Sequence, residues 1–110
     1  MNGNARFYSR VLKTLEPEIK DKIEKALKMI TEREAIVLTM YLGLIEEPKT
    51  LKQIADHFHV TRERIRQMKA KALRKLKYPR RNELIAKILI ERDEEVASYH
   101  RKVKRIKSKI

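Results

Sequence analysis

The chain has 110 residues, 42% of them hydrophobic and 39% charged, with no cysteine, no tryptophan and only two glycines. The missing cysteine excludes a disulfide framework and thiolate metal sites and fits a reducing compartment. No apolar run approaches the roughly 18 residues of a membrane span, and the opening "MNGNARFYSR" lacks the apolar core of a signal peptide.

In chain order, Phe7, Tyr8, Val11, Leu12 and Leu15 fall on one helical stripe from about Ala5 to Leu15. Pro17 interrupts it and suits the first turn of a new helix. From Glu18 to Ile30, residues Ile19, Ile23, Ala26, Leu27 and Ile30 form one buried face of an amphipathic helix. Thr31 with Glu34 is a capping-box pattern and predicts a third helix over Glu32 to Leu42. That helix is apolar almost all round, through Ala35, Ile36, Val37, Leu38, Met40 and Leu42, and belongs in the middle of the domain. Gly43 is its left-handed C-cap.

Residues 44–49, "LIEEPK", read as a loop. Thr50 caps a short helix in which Leu51, Ile54, Ala55 and Phe58 follow i, i+3, i+4, i+7. His59-Val60 is a tight connection, where His59 is strained if its φ is positive. Thr61 caps a helix from Arg62 to about Lys77, Pro79 ends or kinks it, and Asn82 with Glu83 restarts a helix through most of the remainder. A short helix, a tight turn and a longer basic helix make a helix-turn-helix. Small Ala55 stands where the two helices approach, Val60 plugs the core after the turn, and Ile65 faces inward. The expected fold class is all-α: a small helical bundle ending in a helix-turn-helix, plus a C-terminal extension helix. Three parts are expected, 1–16 an N-terminal helical segment, 17–81 the helix-turn-helix domain and 82–110 a basic amphipathic helix.

The formal net charge is +13, and it is concentrated. Residues 61–81 hold ten basic side chains and one acidic one, and residues 99–110 hold six basic and none acidic. Such density attracts polyanions. On a helical wheel, Met68, Ala72 and Leu76 fall within roughly 60° of Ile65, which defines a buried face. Glu63, Gln67, Ala70, Lys71 and Arg74 lie opposite, with Arg62 and Arg66 on one flank and Arg64 and Lys75 on the other. The leading end therefore offers base readers. Arginine (Arg62) suits guanine O6/N7, glutamine (Gln67) suits adenine, and glutamate (Glu63) accepts from cytosine N4. Arg64, Arg66, Lys71, Arg74 and Lys75 on the flanks and trailing end can reach phosphates. A merely solvated helix more often pairs its cations with glutamates at i, i+4.

The stretch "LTMYLGL…PKTLKQIADHFHVTRERIRQMKAKALRKLKYPRR" resembles region four, the −35-reading domain, of primary bacterial sigma factors, over about Glu18 to Arg81. The resemblance implies a small four- or five-helix domain that reads the −35 promoter element in the major groove. It implies base contacts at Arg62, Glu63 and Gln67. Backbone or neighbouring contacts fall to Arg64, Arg66 and Lys71, and activator-facing positions to Arg74, Lys75 and Lys77. It also implies a docking surface for the β-flap of bacterial RNA polymerase around Leu27, Ile30, Ile36 and Met40. Two departures stand out: Lys52-Gln53 replaces an acidic pair, and Met68-Lys69 replaces an apolar-acidic pair, which is expected to put one more cation at the rim. No segment has the aromatic-rich pattern of the −10-melting part, so the chain by itself is not expected to be a complete initiation factor.

The family usually stops soon after the position of Asn82. Here Ile85, Leu89, Arg92, Val96, Tyr99, Val103, Ile106 and Ile110 continue at alternating spacings of four and three, a heptad seam with one arginine in it. It suits a helix folded back on its own domain, a coiled coil with itself or a partner, or a basic end that runs along DNA. His57, His59 and His100 do not form a ligand set, and no catalytic pair stands out, so neither an enzyme nor a bound cofactor is expected. The expectation is a cytoplasmic, nucleoid-associated transcription protein that binds promoter DNA and polymerase, as half of a split sigma factor working with a second sigma-like protein. The rivals are an interaction protein occupying the polymerase site and a stand-alone regulator that dimerises through its C-terminal helix.

Overall fold

A helix leaves its first N–H groups without partners, and in this chain threonines supply them. The computed structural model describes residues 17–77 and 83–109. Among these, five helices follow one another: α1 (Pro17–Leu27), α2 (Glu32–Leu42), α3 (Leu51–Phe58), α4 (Arg62–Lys77) and α5 (Glu83–Ser108), with no strand. The helix expected over Ala5 to Leu15, the break assigned to Pro79 and the restart assigned to Asn82 lie outside the described residues. Thr31 and Glu34 close a full capping box on α2, with Oγ1 accepting from the Glu34 N–H at 3.1 Å and Glu34 Oε1 accepting from the Thr31 N–H at 3.0 Å. Thr50 and Gln53 do the same for α3. Gln53, one of the two departures from the acidic pair, thus has a structural task.

The amphipathic pattern over 18–30 outlasts its helix. α1 stops at Leu27, and two i→i−3 hydrogen bonds, Lys28 N–H to Lys25 O and Met29 N–H to Ala26 O, tighten the exit. The reason is Thr31, whose cap conformation is extended (φ −66°, ψ 155°) and cannot continue a helix. The turn still delivers Ile30 to the core. Gly43 ends α2 at φ 64°, and a Cβ there would lie 2.6 Å from the Pro48 ring. Both the left-handed backbone and the close approach of Pro48 require glycine. Lys49 N–H donates back to Met40 O, which clips the loop over the end of α2.

The core is built from Val37, Leu38 and Leu42 of α2, Ile54 of α3, Ile65, Ala72 and Leu76 of α4, and Leu89 and Val96 of α5. α5 packs across α4, α2 and α1. Of the three roles open to the tail from its pattern, the fold-back is the one the first half of α5 adopts: Ile85, Leu89, Arg92 and Val96 are all buried in their own domain. Arg92 sits in that apolar seam because its Nε donates to Leu42 O at 2.8 Å. The carbonyls at a helix C-terminus lack intrahelical partners and carry partial negative charge, so a guanidinium satisfies both needs. Glu95 Oε2 lies 3.6 Å from Arg92 Nη1. Beyond Tyr99 the seam runs out: Val103 is half-buried and Ile106 is 59% exposed.

Candidate nucleic-acid interface

α3 and α4 form the helix-turn-helix. His59 caps α3 at φ 58°, ψ 43°, a left-handed conformation that a side chain other than glycine's adopts at some cost. Its strain is offset by two hydrogen bonds that close the turn, His59 N–H to Asp56 O and Val60 N–H to Ala55 O. Ala55 is 2% exposed at the crossing, and Ile54 and Ile65 are fully buried. Val60 is half-buried behind the turn. Thr61 Oγ1 accepts from the Arg64 N–H at 3.0 Å, so the cap expected for α4 is present.

Ile65, Met68, Ala72 and Leu76 bury one face of α4, as their spacing requires. The opposite face carries Arg62, Glu63, Arg64, Arg66, Gln67, Lys71 and Arg74, all exposed. Glu63 and Arg66 grip each other side by side, with Arg66 Nη2 2.6 Å from Glu63 Oε2 and Nε also donating. This contact holds the Glu63 carboxyl below the usual carboxylate range and raises the Arg66 guanidinium. Arg62, Arg64, Lys71, Arg74 and Lys77 make no ion pair among the described residues.

Two cations of α4 are placed differently from the expectation. Lys69 does not stand at the rim. Its side chain is 14% exposed, with Nζ 2.7 Å from Asp93 Oδ1 and 4.3 Å from the centre of the Tyr41 ring. The reason is non-local: α5 lies along that flank of α4 and brings a carboxylate, while α2 brings an aromatic face. A wheel puts Lys69 only about 40° from Ile65, and that angle is the signal sequence reasoning passed over. Lys75, expected on a phosphate flank, places Nζ 2.9 Å from Glu34 Oε1 at the start of α2. Glu34 is 5% exposed. Burial opposes its ionisation, but the hydrogen bonds from Lys75 and Thr31 outweigh burial and hold its carboxyl below the ordinary value.

Of the residues expected on the polymerase side, Ile36 is 39% exposed, Leu27 and Met40 are half-buried, and Ile30 is buried. Met29, which no sequence motif singled out, is 47% exposed next to Ile30. Among the described residues no group of His, Asp and Glu could hold a metal ion, and no helix is long and apolar enough to cross a membrane.

Residues 26–78 match the family model for sigma-70, region 4. The RNA polymerase sigma factor SigA of Nostoc sp. is 47% identical over 68 residues, covering 61% of this chain and 17% of that protein. SigA of a Bacillus species is 44% identical over 72 residues, 64% of this chain and 19% of its own length. SigA of Synechocystis sp. is 46% identical over 68 residues, 61% of this chain and 16% of its own. The chain therefore spans less than a fifth of the length of these curated relatives.

Proposed function

We infer the function from one premise: residues 26–78 of this chain are a sigma-70 region 4 domain, a non-enzymatic DNA-binding unit of transcription factors. On that premise the protein reads a −35-like promoter element and docks on RNA polymerase. α4 enters the major groove with its N-terminal end leading. Arg62, Glu63 and Gln67 meet base edges, and Arg64, Arg66, Lys71 and Arg74 lie along the phosphates of the groove walls. On binding, Arg66 releases Glu63 for a base and turns to the backbone. The observation that carries this reading is the exposed face of α4. Among the described residues Arg62, Arg64, Lys71 and Arg74 stand there without acidic partners, on a helix whose other face is the domain core. Like charges this close destabilise the free helix, and a polyanion offsets that cost.

The chain works as three parts: residues 1–16, a DNA-reading domain over 17–81, and an extension over 82–110 whose helix α5 closes the domain's core with its first half. Polymerase docking uses the α1–α2 side, through Leu27, Ile36 and Met40 with Met29 beside them. Ile30 supports that surface from beneath. A second sigma-like protein supplies −10 melting, and the site of action is the cytoplasm, on the nucleoid. A dimer zipped through α5 is disfavoured, because Ile85, Leu89 and Val96 are already spent on the domain's own core.

The test is retention of bacterial RNA polymerase core enzyme by the immobilised protein, with duplexes carrying or lacking a −35-type element. Polymerase retention with sequence-dependent duplex binding is expected. Specific duplex binding with no polymerase retained sinks the sigma-like role. Polymerase retention and transcriptional effect that survive Arg62→Ala with Gln67→Ala mark an interaction protein instead.

A further inference from the structure

The second half of α5 leaves the domain with a large charge that the packing of its first half does not use. Residues 99–110 hold six basic side chains and no acidic one, and Arg101, Lys102, Lys104, Arg105, Lys107 and Lys109 are all exposed. Cations in the last helical turn are ordinary, since they complement the helix dipole. That accounts for Arg105 and Lys107. It does not account for Arg101, Lys102 and Lys104, which lie further up the helix, where the dipole's influence has fallen away.

Position is the second observation. Tyr99, His100, Val103 and Lys107 line an open cleft of about 220 Å³ whose other wall is Lys49, Thr50 and Gln53. Thr50 is the cap of α3, the first helix of the helix-turn-helix. The tail therefore emerges beside the beginning of that helix. In helix-turn-helix proteins the first helix crosses the sugar-phosphate backbone while the second enters the groove. Glu47, also in the cleft, is the one acidic residue there, against Lys49 and Lys107, and the other five tail cations are exposed on the remaining faces of the same turns.

We propose that the C-terminal turns of α5 are a second nucleic-acid contact, a basic arm. It lies on the phosphate backbone flanking the element read by α4, through Arg101, Lys102, Lys104 and Arg105. The arm adds affinity and footprint but no sequence information, because phosphate contacts position a protein without reading bases. This inference rests on the proposed DNA-reading role. An acidic lipid surface would suit the same charge, but the placement beside α3 favours the duplex already bound.

The test is the salt dependence of duplex binding by the full chain, by fluorescence anisotropy on cognate and scrambled duplexes with long or short flanks. The variant is Arg101→Gln, Lys104→Gln, Arg105→Gln, all at exposed positions where glutamine keeps the helix. Each phosphate contact contributes about 0.9 to the slope of log K against log salt. The slope should fall by about 2 to 3 on both duplexes, with the ratio of cognate to scrambled affinity unchanged. Shortening the flanks should lower the slope of the native chain and not that of the variant. A second variant, Lys104→Glu with Arg105→Glu, should weaken binding further without changing helix content by circular dichroism. An unchanged slope in the glutamine variant overturns the arm. It does so equally if that variant loses binding to phosphatidylserine-rich vesicles, which would assign the charge to membranes. If the native chain shows no preference for the cognate duplex, the DNA-reading role fails. The arm is then judged on the slope of non-specific binding, where no change again overturns it.

Discussion

Replacing Asp93 by asparagine tests whether α5 holds the recognition helix or merely lies near it. Lys69 Nζ is 2.7 Å from Asp93 Oδ1, with side chains 14% and 22% exposed. Exposed ion pairs contribute about 0.2–1 kcal/mol, whereas removing one partner of a buried pair costs about 3–5 kcal/mol. With roughly four-fifths of both side chains covered, Asp93→Asn should fall between these, at about 2 kcal/mol. The Tyr41 ring, 4.3 Å from Lys69 Nζ, remains and keeps the loss from reaching the buried limit. Lys69→Met should cost a similar amount, since it leaves Asp93 short of its partner. The double variant Lys69→Met, Asp93→Leu should recover to within about 1 kcal/mol of the native chain, because it removes both charges and fills the space. Urea unfolding followed by circular dichroism gives the four free energies and their coupling. A loss of about 2 kcal/mol corresponds to a fall in Tm of roughly 8–16 °C for a domain of this size. If both single substitutions cost less than about 0.5 kcal/mol, the pair is an ordinary surface contact, and the claim that α5 anchors α4 through it is wrong.

Gly43→Ala should destabilise by about 2 kcal/mol or more in the same assay, because it combines a left-handed backbone with a Cβ 2.6 Å from Pro48. His59→Gly should do the opposite and stabilise by about 0.5–1 kcal/mol, since glycine adopts φ 58° without the Cβ penalty. Gln67→Ala should cost about 1–3 kcal/mol on a cognate duplex and relax preference at one base pair, whereas Lys71→Ala should weaken all duplexes alike; titrations against single-position duplex variants separate the two. The pH dependence has a definite sign. Burial pushes the His100 imidazole below its ordinary 6.5, and the Lys69 charge adds to this against a hydrogen bond to the Pro48 backbone. The unfolded chain then binds that proton more readily, so this contribution is present above pH 6.5 and is lost as pH falls below it. Glu34, held below its ordinary 4.5, adds a second loss as pH falls through that range. His100→Gln should remove the upper step and leave the lower one, read by thermal unfolding across pH.

Local chemistry was legible in the chain because it depends on neighbours three or four residues away. Thr31 with Glu34, Thr50 and Thr61 marked three helix starts, and Gly43 marked a helix end. The 3.6-residue spacing of Ile65, Met68, Ala72 and Leu76 told which face of α4 is buried, and so which face is left for DNA. The same logic gave the wrong place for Lys69 and passed over the partner of Lys75. Whether a cation meets water or a carboxylate depends on which helix packs there, and Asp93 and Glu34 are distant in sequence. The heptad spacing of the tail was equally silent about its partner. An apolar seam states that something must cover it, but not what. Only the folded chain shows that α4, α2 and α1 cover its first half, that Arg92 enters because α2 ends there with a carbonyl to satisfy, and that the basic second half is left uncovered.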